Sequence, residues 1–282
     1  MKKLIYLLLL TVSMPSFARQ FDIEVIIFKR DLNPETMMEQ WPKILDPINL
    51  DRAISYRNNQ MMIRNHATLL PRSEYQLTAQ YEKLKKHAAF KPMIHVAWRQ
   101  GDQGRSTAPI FHIVAGRDFS EKYLADGRSK AEVAREQAEA IVELTPNDEI
   151  AFDEKSADAP LYELDGRLQV YVQHYLFIET QLDIKKPGQR KIMVEAEPIE
   201  ITQPKPINSA ASTIIDPFSN LLNTPQNGVQ IGHLEEIKPI FKIEKYLNTY
   251  RMSQKRKMRS SETHYLDHPL LGIIIQVRKV AQ

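Results

Sequence analysis

Two short stretches concentrate the groups that could do chemistry. In His264-Tyr265-Leu266-Asp267-His268, two imidazoles stand four residues apart with a carboxylate between them. On a helix both rings would share a face and could grip a metal, with Asp267 as a third ligand. However, Tyr265 stands where a zinc-protease helix carries its Glu base, and Pro269 biases His268 toward extended backbone. We therefore read His264, Asp267 and His268 as a structural turn motif, with Asp267 capping the turn and the rings bonding backbone, and expect no metal. The second stretch, Arg251 to Arg259, holds five cations and no acid. As a strand it projects Arg251, Lys255, Lys257 and Arg259 from one face and Met252 and Met258 from the other. That is a cationic ridge beside an apolar anchor, able to meet the carboxylates or phosphates of an anionic polymer. The competing reading is a solvated outer face that discourages edge-to-edge pairing.

Catalytic signatures are missing. The chain has no G-x-S-x-G elbow, P-loop or G-x-G-x-x-G, and no Ser is followed three residues later by Lys. It has no Cys, which excludes disulfides, thiolate metal sites, Fe–S clusters, a Cys nucleophile and a lipid-modified N-terminal Cys. Its 9 Gly leave little material for phosphate-cradling loops. Acids number 35, but no pair stands out as the two carboxylates of a glycosidase. Glu24 alone lies inside a strongly apolar strand, and alternation places it on the solvent side. Trp41 and Trp98 read as core or core-edge residues rather than sugar-stacking platforms. The expectation is a protein that is not an enzyme and uses no cofactor.

The elements around these stretches alternate between strands and a few helices. Gln20 to Phe28 reads as a strand passing from half-buried to buried. Asn33-Pro34-Glu35 opens a short helix that Trp41-Pro42 must end. Ser73-Glu74-Tyr75-Gln76 reads as a capping box for a helix with Leu77, Tyr81, Leu84 and Ala88 on one face. Strands follow at Met93 to Trp98 and Ile110 to Val114. Residues 117–160 read as a decorating, acidic excursion with a surface helix from Lys130 to Leu144. Leu168 to Ile184 keeps period two throughout and reads as one long strand, kinked or bulged partway. Lys186-Pro187-Gly188-Gln189 is then a turn, with Lys191 to Ile201 returning. Residues 204–232, rich in Pro, Ser, Asn and Thr, read as a long loop. Phe241 to Met258 and Leu271 to Val277 read as the arms of a last hairpin. The fold class expected is α+β: a largely antiparallel sheet with long hairpins, covered on one face by helices, in a single domain over 19–282.

Residues 1–18 have the tripartite pattern of a secretory signal: Lys2-Lys3, an apolar run from Leu4 to Val12, and Ser16-Phe17-Ala18 before the cleavage point. Cleavage after Ala18 would release a soluble protein to a bacterial periplasm with no transmembrane anchor. Losing Lys2 and Lys3 leaves 36 basic residues against 35 acids, so the formal charge falls from +3 to +1. Attraction to an anionic polymer must then come from local clustering. In that compartment the candidates are peptidoglycan and lipopolysaccharide, whereas nucleic acid is not an expected partner.

The residues also carry a family likeness. Arg19 to Arg30, Glu39-Gln40-Trp41-Pro42, His95 to Gln100, Leu164 to Leu168 and, most specifically, Arg256 to Gly272 resemble the CsiV family. The resemblance implies a periplasmic, non-catalytic peptidoglycan-binding protein of Gram-negative bacteria. It also implies a role in cell-wall and cell-shape biogenesis, by promoting a class A penicillin-binding protein together with its outer-membrane lipoprotein activator. Two alternatives stay open on the residues themselves: a wall glycosidase with unrecognised carboxylates, and a binder or chaperone of outer-membrane components such as lipopolysaccharide.

Overall fold

A computed structural model describes residues 19–39, 41–42, 44–143, 159–194 and 240–280. The expected signal sequence and the expected loop at 204–232 lie outside them. By its contacts the chain forms two compact units, one of residues 1–189 with 245–282 and one of residues 190–244. The packing below concerns the first; the described part of the second is extended chain at the end of one strand and the start of the next. No helix among the described residues is long and apolar enough to cross a membrane.

Among the described residues, ten strands build two five-stranded sheets. They are β1 (Gln20–Arg30), β2 (Ala53–Ser55), β3 (Ala67–Leu69), β4 (Phe90–Gly101), β5 (Ile110–Asp118), β6 (Tyr162–Gln173), β7 (Tyr175–Val194), β8 (Ile240–Met258), β9 (Thr263–Asp267) and β10 (Leu271–Lys279). The helices are α1 (Asn59–Arg64), α2 (Thr78–Lys86) and α3 (Lys130–Glu143). The first sheet runs β3-β4-β1-β10-β9 and the second β2-β5-β6-β7-β8. Every pair in the first is antiparallel. In the second, β2 joins β5 in parallel and β5-β6-β7 are antiparallel. Ile23, Val25 and Ile27 from β1 share one core with Trp98, Phe111, Leu168, Ile178, Met252 and Ile275. The inner face of the first sheet is therefore covered by the second sheet, not by a helical layer.

β1 is central in its sheet, paired to β10 on one edge and β4 on the other, and residues on both its faces are buried. Its odd-numbered residues enter the shared core. On the even side, Ile26 and Phe28 meet Leu77, Tyr81 and Leu84 of the α2 segment, with Phe90 and Ile274. Gly272 pairs with Phe28, and a Cβ there would fall 2.3 Å from the ring, so only glycine lets Phe28 lie across β10.

Three sequence expectations change. The reading of 168–184 as one strand is replaced by a β6–β7 hairpin that reverses at His174, which adopts φ 60°. That turn has neither Gly nor Pro, but His is among the few residue types enriched there. The expected turn at 186–189 is part of β7. There the Lys186 ammonium donates to the Leu32 carbonyl at 2.8 Å, and Gly188 makes room for Asn248. The last hairpin is β9–β10, while β8 belongs to the other sheet. Asn33 does cap its helix, accepting from the Glu35 amide, but the helix is one 3₁₀ turn, Pro34–Thr36.

Candidate functional site

Glu24 organises the outer face of the first sheet. Alternation placed it in solvent; it is fully buried. One carboxylate oxygen accepts from His95 Nε2 at 2.8 Å and the Leu77 amide at 2.9 Å, and the other from the Gln76 amide at 2.7 Å and Arg278 Nη1 at 3.0 Å. The reason lies in the helix start. Ser73 sits in a 3₁₀ turn (Arg72–Glu74) and α2 begins at Thr78 with no side-chain cap from its own segment. The expected capping box is thus not formed. Instead, a carboxylate from β1, more than fifty residues away, takes the free amides just ahead of the helix. Burial pushes the Glu24 carboxyl up, but His95, the two amides and Arg278 outweigh it and hold it below the ordinary range.

The same node braces a cleft of about 490 Å³. Its floor is His95, almost wholly covered, with Tyr81 stacked on it at 4.8 Å and Tyr75 edge-on at 4.8 Å. The Tyr75 hydroxyl accepts from the Ala97 amide at 3.0 Å. Tyr56, Arg57 and Arg72 stand at the rim, each guanidinium over a tyrosine ring.

The cationic ridge is split by the structure. Met252 and Met258 are buried, as the alternation requires. Arg251 is tied down: its guanidinium makes two 2.7 Å bonds to Asp183 and one of 2.5 Å to the Asp46 carbonyl, because residues near 46 cross that end of the sheet. The Asp183 bonds raise its pKa further. Lys255, Lys257 and Arg259 are exposed. Lys255 Nζ lies 5.4 Å from the Phe177 centroid and 5.9 Å from that of Tyr171, and Lys257 Nζ lies 3.1 Å from that of Tyr175. Arg259 has Glu262 within 3.8 Å.

Sequence reasoning missed these rings as a set. The hairpin register pairs Tyr171 with Phe177 and Gln173 with Tyr175, so rings that follow one another along the chain become neighbours across the sheet. Tyr171 and Phe177 stack at 5.5 Å, and Tyr175 is 55% exposed. Length gives no signal either, since β7 and β8, at 20 and 19 residues, are themselves longer than the single strand read over 168–184. Beside them Arg105 grips Glu179 through two bonds of 2.9 and 3.0 Å. That grip, against the burial that opposes it, holds the Glu179 carboxyl low.

His264, Asp267 and His268 lie on extended chain, where positions four apart are about 13 Å from each other. His264 Nε2 lies 3.1 Å from both the backbone nitrogen and the carbonyl oxygen of Arg259. His268 Nδ1 accepts from the Leu270 amide at 3.2 Å, with the ring against Trp41, and burial lowers its pKa. Among the described residues, Asp267 accepts from Arg30 and from the Tyr265 hydroxyl. Among the described residues, no three acids or histidines are grouped so as to hold a metal ion. Trp98 lies in the core, and Trp41 packs partly buried against it and Tyr250.

This two-sheet scaffold, with a cationic-aromatic strip and a tyrosine-arginine cleft, has the character of a binding protein. The model of the family described as "Peptidoglycan-binding protein, CsiV" matches residues 2–280, nearly the whole chain, and the protein belongs to that family. No curated protein and no solved structure matches it.

Proposed function

We propose that this protein is a non-catalytic, periplasmic peptidoglycan-binding protein, exported by residues 1–18 with cleavage after Ala18. In this reading it supports cell-wall synthesis by promoting a class A penicillin-binding protein together with its outer-membrane lipoprotein activator. The observation that carries the reading is membership of a peptidoglycan-binding family over residues 2–280. The strip on the second sheet supports it physically. Tyr175 offers a ring face for a sugar, while Lys255, Lys257 and Arg259 offer charge to the free carboxylates of stem peptides. Arg251 is left to hold the sheet together.

Co-sedimentation with purified sacculi tests this. The wild type should pellet with the wall and release no muropeptides on long incubation. Lys255→Ala with Lys257→Ala and Arg259→Ala should weaken pelleting and flatten its salt dependence. Release of muropeptides overturns the non-catalytic reading. For the partner role, adding the protein should raise glycan polymerisation by the synthase in the presence of its lipoprotein activator.

A further inference from the structure

We propose that the cleft between the β2 end, β3, α2 and β4 is a second binding site, which takes a peptide-borne carboxylate set beside a small apolar group. The two rim cations carry the argument. The guanidinium carbon of Arg57 lies 5.5 Å from the Tyr56 ring centroid and that of Arg72 lies 4.9 Å from the Tyr75 centroid. Such stacking fixes the planar fork without neutralising it. Among the described residues the Arg57 guanidinium has further bonds only at 3.4 Å to the Tyr56 hydroxyl and 3.5 Å to the Val114 carbonyl. Among the described residues neither guanidinium has a carboxylate partner, whereas Arg99, Arg105, Arg251 and Arg278 all do. None of the residues lining the cleft is acidic.

The walls say what kind of anion fits. Leu69, Pro71 and Met93 line the same cleft as the cations and His95, and His95 is already bonded to Glu24. A bare inorganic anion would use the guanidiniums and leave the apolar walls idle. A carboxylate on alanine-sized groups uses both, in a space of the size that holds small ligands. Two sources offer this chemistry, the stem peptide of the wall and the C-terminus of a protein. Only the first rests on the wall-binding reading above.

The test is a titration of the ¹⁵N-labelled full-length protein with N-acetyl-dialanine and, separately, with its C-terminal amide. Amide signals of Tyr75, Tyr81 and His95 should move with the acid and stay still with the amide. Arg57→Ala with Arg72→Ala should weaken the acid at least tenfold while the rest of the spectrum stays dispersed, and the double Lys variant should fall between. Equal shifts from acid and amide, shifts from inorganic phosphate matching those of the acid, or unchanged affinity in the double Ala variant would overturn the proposal. A second arm compares muropeptides bearing free and amidated carboxylates with a peptide ending in free alanine. A preference for free muropeptides assigns the wall as source, and a preference for the alanine peptide assigns a protein terminus. Sacculus sedimentation reads out independently: if the protein stays in the supernatant while the sacculi pellet, yet shifts with acetyl-dialanine, the wall reading falls and the cleft stands.

Discussion

On the outer face of the first sheet, Arg99 bonds Asp22 while Glu24, buried beneath the start of α2, bonds His95 and Arg278. On the outer face of the second sheet, Lys255 and Lys257 rest on aromatic rings within reach of solvent. Both faces mix charge with apolar residues, and along the chain they look alike. What separates them is what lies above. The segment leading into α2 closes over Glu24 and brings it the Gln76 and Leu77 amides, which with His95 and Arg278 favour the charged carboxylate. Above Lys257 the nearest partner is a ring that cannot neutralise it. The Glu24 node is therefore expected to govern stability, and the exposed run from Lys255 to Arg259 binding.

The largest effect should come from Glu24→Ala. It would strand Arg278, His95 and two amides in a covered site, and a loss of about 3–5 kcal/mol is expected in urea unfolding. A loss below about 1 kcal/mol would break the contrast between the faces. Arg251→Ala comes next, at about 2 kcal/mol, since it leaves the buried Asp183 carboxylate without its bidentate partner. This variant sharpens the contrast within the ridge itself, because Arg251 should act on melting temperature and not on sacculus pelleting.

The pH dependence follows from direction alone. The folded Glu24 pKa lies below its unfolded value near 4.5, so its stabilisation is complete above that pH. It fades as pH falls through the lowered folded value, and a Glu24→Gln protein should show a shallower acid limb in thermal melts. His268 is likewise held below 6.5 in the folded state, so stability also declines as pH falls from about 6.5. His268→Gln should remove part of that slope. Smallest in stability is Tyr175→Ala, on an exposed ring, where melting should be unchanged while sacculus pelleting weakens. If pelleting is also unchanged, the ring is not part of the binding face.

Much of the fold was legible because burial writes itself as periodicity. β1, β4, β5 and β10 announce themselves by β-branched and aromatic runs, α3 by its Ala and Glu, and the Met252 and Met258 anchor by alternation. The site was less legible. The reversal at His174 carries no Gly or Pro, and period two passes through it unbroken, so the aromatic strip could not be seen. The helix start at Thr78 was obscured because its cap comes from another strand. Arg57 and Arg72 sit in connecting segments where an exposed arginine is ordinary, and only their convergence on one cleft sets them apart.

The order of apolar and polar residues was enough to determine strands and a few helices, the lack of Cys excluded thiol chemistry, and sequence motifs carried membership of a peptidoglycan-binding family. Those features depend on local pattern and on motif. Which cations are held and which are free was decided by the tertiary structure alone. Arg251 and Lys257 stand six residues apart on one strand face. One meets a buried aspartate and a crossing loop, the other a tyrosine ring, because partners are chosen by distance in space and not along the chain.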